Sequence, residues 1–132
     1  MAPDVKSEIK PARILVVEDE VLIRGLISDE LRDAGFSVVE AGSAAEALAF
    51  FAGGELVDLV FTDVRMPGPL NGLDLAGMLH ARFPRLPIFI TSGNHGPQDA
   101  KGLGPFVSKP YNLSEIARLL GDALSGEPSP QT

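Results

Sequence analysis

Short apolar runs alternate along the chain with segments whose apolar residues recur every three or four positions. The runs have the length and the β-branched, aliphatic and aromatic composition of buried strands, and they lie at residues 13–17, 36–40, 57–63, 87–92 and 106–108. A helical period follows four of the five runs, as in the series Ile23, Leu26, Ile27, Leu31 and Ala34. This alternation of strands and connecting segments predicts an α/β fold in three layers, a doubly wound (βα)5 sheet of five parallel strands with helices on both faces.

Helix boundaries are marked by residues with specific preferences for caps and turns. Gly35 suits the left-handed conformation that ends a first helix. Residues Ser43–Glu46 form a capping-box pattern before a second helix, and Asn71–Asp74 begins a third helix that Pro84 closes. A similar start at Asn112–Glu115 predicts a helix at the C-terminal end of the fold.

Residues 93–105 depart from this alternation. They contain four glycines and two prolines and show no helical period. We therefore expect a shortened or irregular fourth helix, with at most one helical turn near residues 98–102.

Composition limits the domain organisation. A chain of 132 residues that is 45% hydrophobic can form one domain with its own core. We predict a flexible N-terminal leader at residues 1–12, one domain at residues 13–124 and a disordered Ser/Pro/Gly-rich tail at residues 125–132. This single unit uses the whole chain, so we expect a stand-alone domain with no appended effector.

Charge and targeting signals exclude several classes of function. The net charge of −7 disfavours nucleic-acid binding, because an acidic domain repels the phosphate backbone. There is no cysteine, signal peptide or membrane-length apolar run, which predicts a cytoplasmic protein without membrane contact. His80 and His95 lie far apart in sequence without ligand-like neighbours, so a histidine-based metal site is disfavoured.

Polar residues that could bind a ligand or take part in a reaction follow four of the five strands. In a parallel sheet the C-terminal ends of the strands share one edge, where ligands bind. The residues placed there are Glu18, Asp19, Asp63, Thr91, Ser92 and Lys109. Taken alone, Asp63 fits a turn cap, Glu18-Asp19-Glu20 fits a solvated helix start and Lys109 fits a surface lysine. Their shared position is the informative observation.

Three clustered carboxylates repel one another, and a hard divalent cation such as Mg²⁺ relieves that repulsion. Lys109 and Ser92 can bind the oxygens of an anion at the same place. The set matches phosphoryl transfer onto a carboxylate, with Asp63 as the nucleophile.

The sequence resembles the receiver domain of bacterial two-component response regulators over residues 13–124. The matching motifs are Val16–Glu20, Thr62–Gly68 with Asn71-Gly72, Pro87–Gly93 and Phe106–Pro110. The resemblance implies a flavodoxin-like, CheY-like fold. It also implies that Asp63 accepts phosphate from a phosphohistidine on a sensor histidine kinase or a histidine phosphotransfer protein, and that the phosphorelay output is a downstream protein target.

The same resemblance implies specific residue roles. Asp19, Asp63 and the backbone carbonyl of Arg65 would ligate Mg²⁺, with Glu18 acting mainly through water, and the Lys109–Pro110 bond would be cis at Pro110. Counting from Pro87, the phosphate-binding hydroxyl falls on Ser92, with Thr91 as second choice.

Phe106 occupies the position of the family's switch aromatic, and ordinary strand core is the competing interpretation. The segment from Pro105 to Tyr111 further resembles a subgroup of single-domain receivers called FAT-GUY regulators.

Other functions remain as alternatives. A receiver-like scaffold would act by binding alone and never be phosphorylated. A flavodoxin-like cofactor binder is disfavoured because Glu18-Asp19-Glu20 would repel a phosphate. An aspartyl-phosphate hydrolase would carry a second Asp where this chain has Arg65. We therefore predict no substrate-turnover enzyme, only self-catalysed phosphorylation and slow autodephosphorylation.

Overall fold

Five strands form the central sheet in the computed structural model, which describes residues 10–126. They are β1 (Arg13–Val17), β2 (Ser37–Ala41), β3 (Leu59–Asp63), β4 (Ile88–Ser92) and β5 (Phe106–Ser108). All pairings are parallel, in the order β2-β1-β3-β4-β5. The predicted fold class is confirmed, and the order makes β1 and β3 direct neighbours.

Within the described part of the chain, four α-helices connect or follow the strands: α1 (Val21–Asp33), α2 (Ala44–Ala52), α3 (Gly72–Arg82) and α4 (Leu113–Ser125). The helix α4 extends one residue beyond the predicted domain boundary, and Gly126 ends it at φ +76°. Most of the predicted leader and tail, residues 1–9 and 127–132, lies outside the described residues. Within residues 10–126, no helix has the length and hydrophobicity needed to cross a lipid bilayer.

The predicted cap residues hold the helix starts. Asn71 and Asp74 form a reciprocal capping box at α3, with both N–H···O distances at 2.9 Å. The Ser43 hydroxyl accepts from the backbone N–H of Glu46 at 3.1 Å at the start of α2. These contacts satisfy N–H groups that the first helical turn leaves without partners.

Alternating strand residues divide the core between the two faces of the sheet. Leu15, Val17 and Val60 pack with α2 and α3, whereas Ile14 and Val16 pack with α1 and α4. The α1 contacts come from Ile27 and Leu31, with Ile23 partly buried beside them. Leu26 belongs to the helical pattern but is 58% exposed. It is rotated by about 100° around the helix axis from the buried line of Ile23, Ile27 and Leu31.

The segment between β4 and β5 contains only a short 3₁₀ helix at Pro97–Ala100, so the predicted shortening of the fourth helix is confirmed. Ala100 is buried, and Leu103 packs partly buried against the same core. Gly104 then returns the chain to the sheet at φ +158°, where a Cβ would overlap the carbonyl oxygen of Ile88. Glycine at this position therefore permits a close backbone approach.

Gly72 secures the loop that follows β3. Its N–H donates to the carbonyl of Val64 at 2.8 Å, and a Cβ there would overlap the backbone carbonyl of Asp63. The first residue of α3 is thus packed directly on the strand end that carries Asp63.

We predict that Gly72→Ala lowers the free energy of unfolding by about 1–3 kcal/mol, because the added methyl group must displace backbone. Gly25→Ala is the matched control, since nothing lies within 4 Å of a Cβ at that position in α1. The control should be neutral or stabilising, because alanine favours helix. Urea unfolding measures both, and a Gly72→Ala protein as stable as wild type would contradict the packing argument.

Candidate functional site at the C-terminal edge of the sheet

Three carboxylates converge at the C-terminal edge of the sheet. Glu18 and Asp19 follow β1, and Asp63 is the last residue of β3. One carboxylate oxygen of each residue lies within 4.8 Å of those of the other two. β1 and β3 are neighbours in the sheet, and Val17 pairs with Thr62. This pairing brings together acids that lie far apart in the sequence.

Lys109, directly after β5, places a positive charge in this cluster. Its Nζ lies 3.2 Å from Asp63 Oδ1 and 3.8 Å from Glu18 Oε1. Asp63 Oδ1 also accepts from the backbone N–H of Val64 at 3.0 Å. One ammonium group therefore contacts two of the three carboxylates.

Burial makes this arrangement electrostatically costly. Glu18 is 2% exposed and Asp63 is 7% exposed, whereas Asp19 is exposed. Burial raises the pKa of Glu18 to about 7, even though the Glu20 N–H donates to its carboxylate at 3.0 Å and Lys109 lies nearby. Burial also raises the pKa of Asp63 above its ordinary value, against the opposing effect of Lys109. The cluster thus favours binding of an additional positive charge.

The donor set fits a hard divalent cation. Every candidate ligand in the cluster is a carboxylate oxygen, the type that Mg²⁺ prefers. An open cavity of about 350 Å³ adjoins Asp19, and it is lined also by Val64, Arg65, Met66, Asn71 and His95. The predicted ligand residue Arg65 thus lines the same cavity as Asp19, which has space for water and for a further ligand.

The two candidate hydroxyl residues have different surroundings. Ser92 is 2% exposed, and its Oγ lies 3.0 Å from Nδ1 of His95. Thr91 pairs in register with Asp63, but its Oγ1 is buried and has no hydrogen-bond partner among the described residues. Ser92 is therefore the hydroxyl connected to the cavity, through His95.

Phe106 and Pro110 flank the lysine that completes the site. Phe106 is partly buried and packs against the core shared with α2 and α3. The Lys109–Pro110 peptide bond is cis, as the resemblance implied.

Three neighbours of the site had little or no signal in the sequence. The Tyr111 ring packs edge-on against Phe61 at 6.0 Å, and burial together with Glu18 and Asp63 raises its pKa to about 12. Arg24 Nη1 donates to the Glu18 backbone carbonyl at 2.8 Å. His95, for which the sequence indicated no ligand-like neighbour, lines the cavity beside Asp19. Only Tyr111, two residues after Lys109, could have been suspected from spacing.

Residues 14–120 match the response regulator receiver domain family. The chain therefore belongs to the receiver domains of two-component response regulators. It is 34% identical over 119 residues to the DNA-binding transcriptional regulator NtrC of Rhizobium meliloti (strain 1021), which covers 86% of this chain and 24% of that protein. The chain thus spans about a quarter of that relative's length.

Solved structures give the same result. The chain is similar to the response regulator TrrA of Thermotoga maritima in complex with Mg²⁺–BeF, at 30% identity and a TM-score of 0.75, over 86% of this chain and 98% of that one. A receiver domain protein (CheY-like) from Methanospirillum hungatei JF-1 gives a TM-score of 0.81 at 23% identity, over 89% of this chain and 96% of that one. The latter likeness concerns the fold alone.

The raised pKa of Glu18 predicts a specific pH dependence in metal-free buffer. Its folded-state pKa of about 7 exceeds its ordinary value of 4.5, so the folded protein holds this proton more tightly. The contribution of Glu18 to stability therefore falls as pH rises between these values. We expect Glu18→Gln to remove that contribution and to melt several degrees above wild type near pH 8.

Thermal melting in EDTA across about pH 5 to 8 measures this difference. Glu20→Gln, at an exposed neighbouring acid, should follow the wild-type profile. Superimposable profiles for wild type and Glu18→Gln would show that burial of Glu18 does not perturb its ionisation.

Proposed function

We propose that this domain accepts a phosphoryl group on Asp63 from a phosphohistidine of a sensor histidine kinase or a histidine phosphotransfer protein. The observation that carries the proposal is the contact of Lys109 Nζ with Asp63 Oδ1 at 3.2 Å, within a cluster that also contains Glu18 and Asp19. An Asp63 carboxylate oxygen attacks the phosphorus, the P–N bond breaks, and its electron pair leaves with the imidazole.

The residues of the chain orient and stabilise this reaction. The Val64 N–H and Lys109 both engage Asp63 Oδ1, which fixes the carboxylate and favours its ionised form. Lys109 and Ser92 then bind oxygens of the transferred phosphoryl group. Ser92 is preferred to Thr91 because its hydroxyl is connected to the cavity through His95, whereas that of Thr91 is buried without a partner.

Asp19, Asp63 and the backbone carbonyl of Arg65 would hold Mg²⁺, with Glu18 contributing through water. When bound, the ion supplies charge neutralisation for the phosphoryl oxygens. Asp19 suits this role because it is exposed and lines the cavity, so that its carboxylate can be reached from solvent. Phe106 is the proposed switch residue, since it is partly buried three residues before Lys109.

Phosphorylation would change contacts with a downstream protein in the cytoplasm, without turnover of a separate substrate. Output through a protein partner accords with the acidic charge of −7, which disfavours contact of this domain with nucleic acid. Its matched NtrC relative is named as a DNA-binding regulator, but this chain spans only 24% of it. Stand-alone action and membership of the FAT-GUY subgroup stay predictions.

We expect Asp63→Asn to abolish labelling by acetyl phosphate and Mg²⁺, because an amide cannot act as the nucleophile. The fold should persist, since the change removes a buried charge that repels its neighbours. Intact mass and phosphate-affinity gels measure the label. Asp122→Asn, at an exposed position of α4, is the matched control that should label like wild type. Wild-type labelling of Asp63→Asn would overturn the assignment. No labelling of wild type, with partner binding retained, would favour the scaffold alternative.

Removal of the metal should stop labelling of the wild-type protein, because the carboxylates would then repel the incoming phosphoryl group. Asp19→Asn should raise the Mg²⁺ concentration for half-maximal labelling several-fold, since one charged oxygen ligand is lost. Glu20→Gln changes the net charge equally but lies outside the cluster, and it should leave that concentration unaltered. Equal labelling in EDTA and in Mg²⁺ would exclude a metal requirement.

A further inference from the structure

The Ser92 hydroxyl makes three polar contacts in this structure. Its Oγ accepts from the backbone N–H of Asn94 at 3.1 Å and from that of His95 at 3.3 Å. It also lies 3.0 Å from Nδ1 of the His95 ring. Ser92 is 2% exposed, so its hydroxyl has little access to solvent.

The valence of a hydroxyl group assigns the direction of these hydrogen bonds. A serine hydroxyl has one hydrogen to donate and two lone pairs to accept. The two backbone N–H groups occupy both lone pairs, so the contact with the ring uses the one hydrogen of Ser92. Nδ1 of His95 is then the acceptor, and the ring carries its proton on Nε2.

This hydrogen is the one that the phosphoryl group would require. If Ser92 donates to an oxygen of phosphorylated Asp63, it must first release Nδ1 of His95. His95 lines the same open cavity as Asp19. The ring and the phosphoryl oxygen therefore compete for the same donor.

We propose that His95 is a positioning residue that holds the Ser92 hydroxyl away from Asp63 until a phosphoryl group replaces Nδ1 as the acceptor. The inference rests on the proposed phosphoacceptor function of Asp63. It adds a built-in opposition to phosphorylation, because the hydrogen bond with His95 stabilises only the unphosphorylated state.

Two substitutions of His95 distinguish the effect of losing the hydrogen-bond acceptor from the effect of changing the side chain. In His95→Asn, the amide oxygen can occupy the position of Nδ1 and accept from Ser92. In His95→Gln, the amide reaches the position of Nε2 and leaves no acceptor at the position of Nδ1. The probe is beryllofluoride with Mg²⁺, a phosphoryl mimic, and fluorine NMR measures its affinity for each protein.

We expect His95→Gln to bind beryllofluoride about two- to tenfold more tightly than wild type, the range that corresponds to the loss of one competing hydrogen bond. His95→Asn should bind like wild type, because the acceptor is restored. With Ser92→Ala, His95→Gln should give no further gain, since the shared partner is gone. Equal affinities for wild type and His95→Gln, or tighter binding by both His95 variants, would overturn the proposal.

The tautomer of His95 gives a readout that does not depend on phosphorylation. Long-range proton–nitrogen NMR of the metal-free protein should show a protonated Nε2 and an unprotonated Nδ1 for this ring. Protonation of Nδ1 would overturn the inferred direction of the hydrogen bond. If wild type binds no beryllofluoride and takes no label, the function of Asp63 fails; if it binds and His95→Gln matches it, only the role of His95 fails.

Discussion

Desolvated negative charge at one edge of the sheet is the constraint on which this domain depends. Glu18 and Asp63 are nearly fully buried, and Lys109 is the one cationic group bonded to either of their carboxylates among the described residues. Burial raises the pKa of both acids, so the fold holds them in a state that a bound cation would stabilise. Part of the binding energy for a cation is thus prepared by folding.

The surrounding fold fixes this unfavourable arrangement in place. Gly72 packs on the carbonyl of Asp63, and Arg24 holds the backbone carbonyl of Glu18 at 2.8 Å while its Nε pairs with Glu40 at 3.1 Å. Two separate hydrophobic cores, one on each face of the sheet, anchor the strands that end at the site. Packing therefore supplies the stability that the charge cluster removes.

Local patterns were sufficient to predict the strands, the shortened fourth helix and the meeting of Glu18, Asp19, Asp63 and Lys109. Strand-end residues need only the rule that parallel strands share an edge. Contacts that depend on the course of a loop or on side-chain reach were not predictable. His95 meets Ser92 only because the chain turns at residues 93–96, and Leu26 is exposed because α1 buries the neighbouring helical line. The spacing of apolar residues does not show which of two neighbouring rows of side chains on a helix is buried.

The account depends on Glu18, Asp19 and Asp63 forming one cation site at the edge of the sheet. A crystal of the protein soaked in Mn²⁺, which also prefers oxygen ligands, tests this directly through anomalous scattering. We predict one strong peak between the carboxylates of Asp19 and Asp63, next to the backbone carbonyl of Arg65. A peak elsewhere, or none at this edge under saturating Mn²⁺, would contradict the claim.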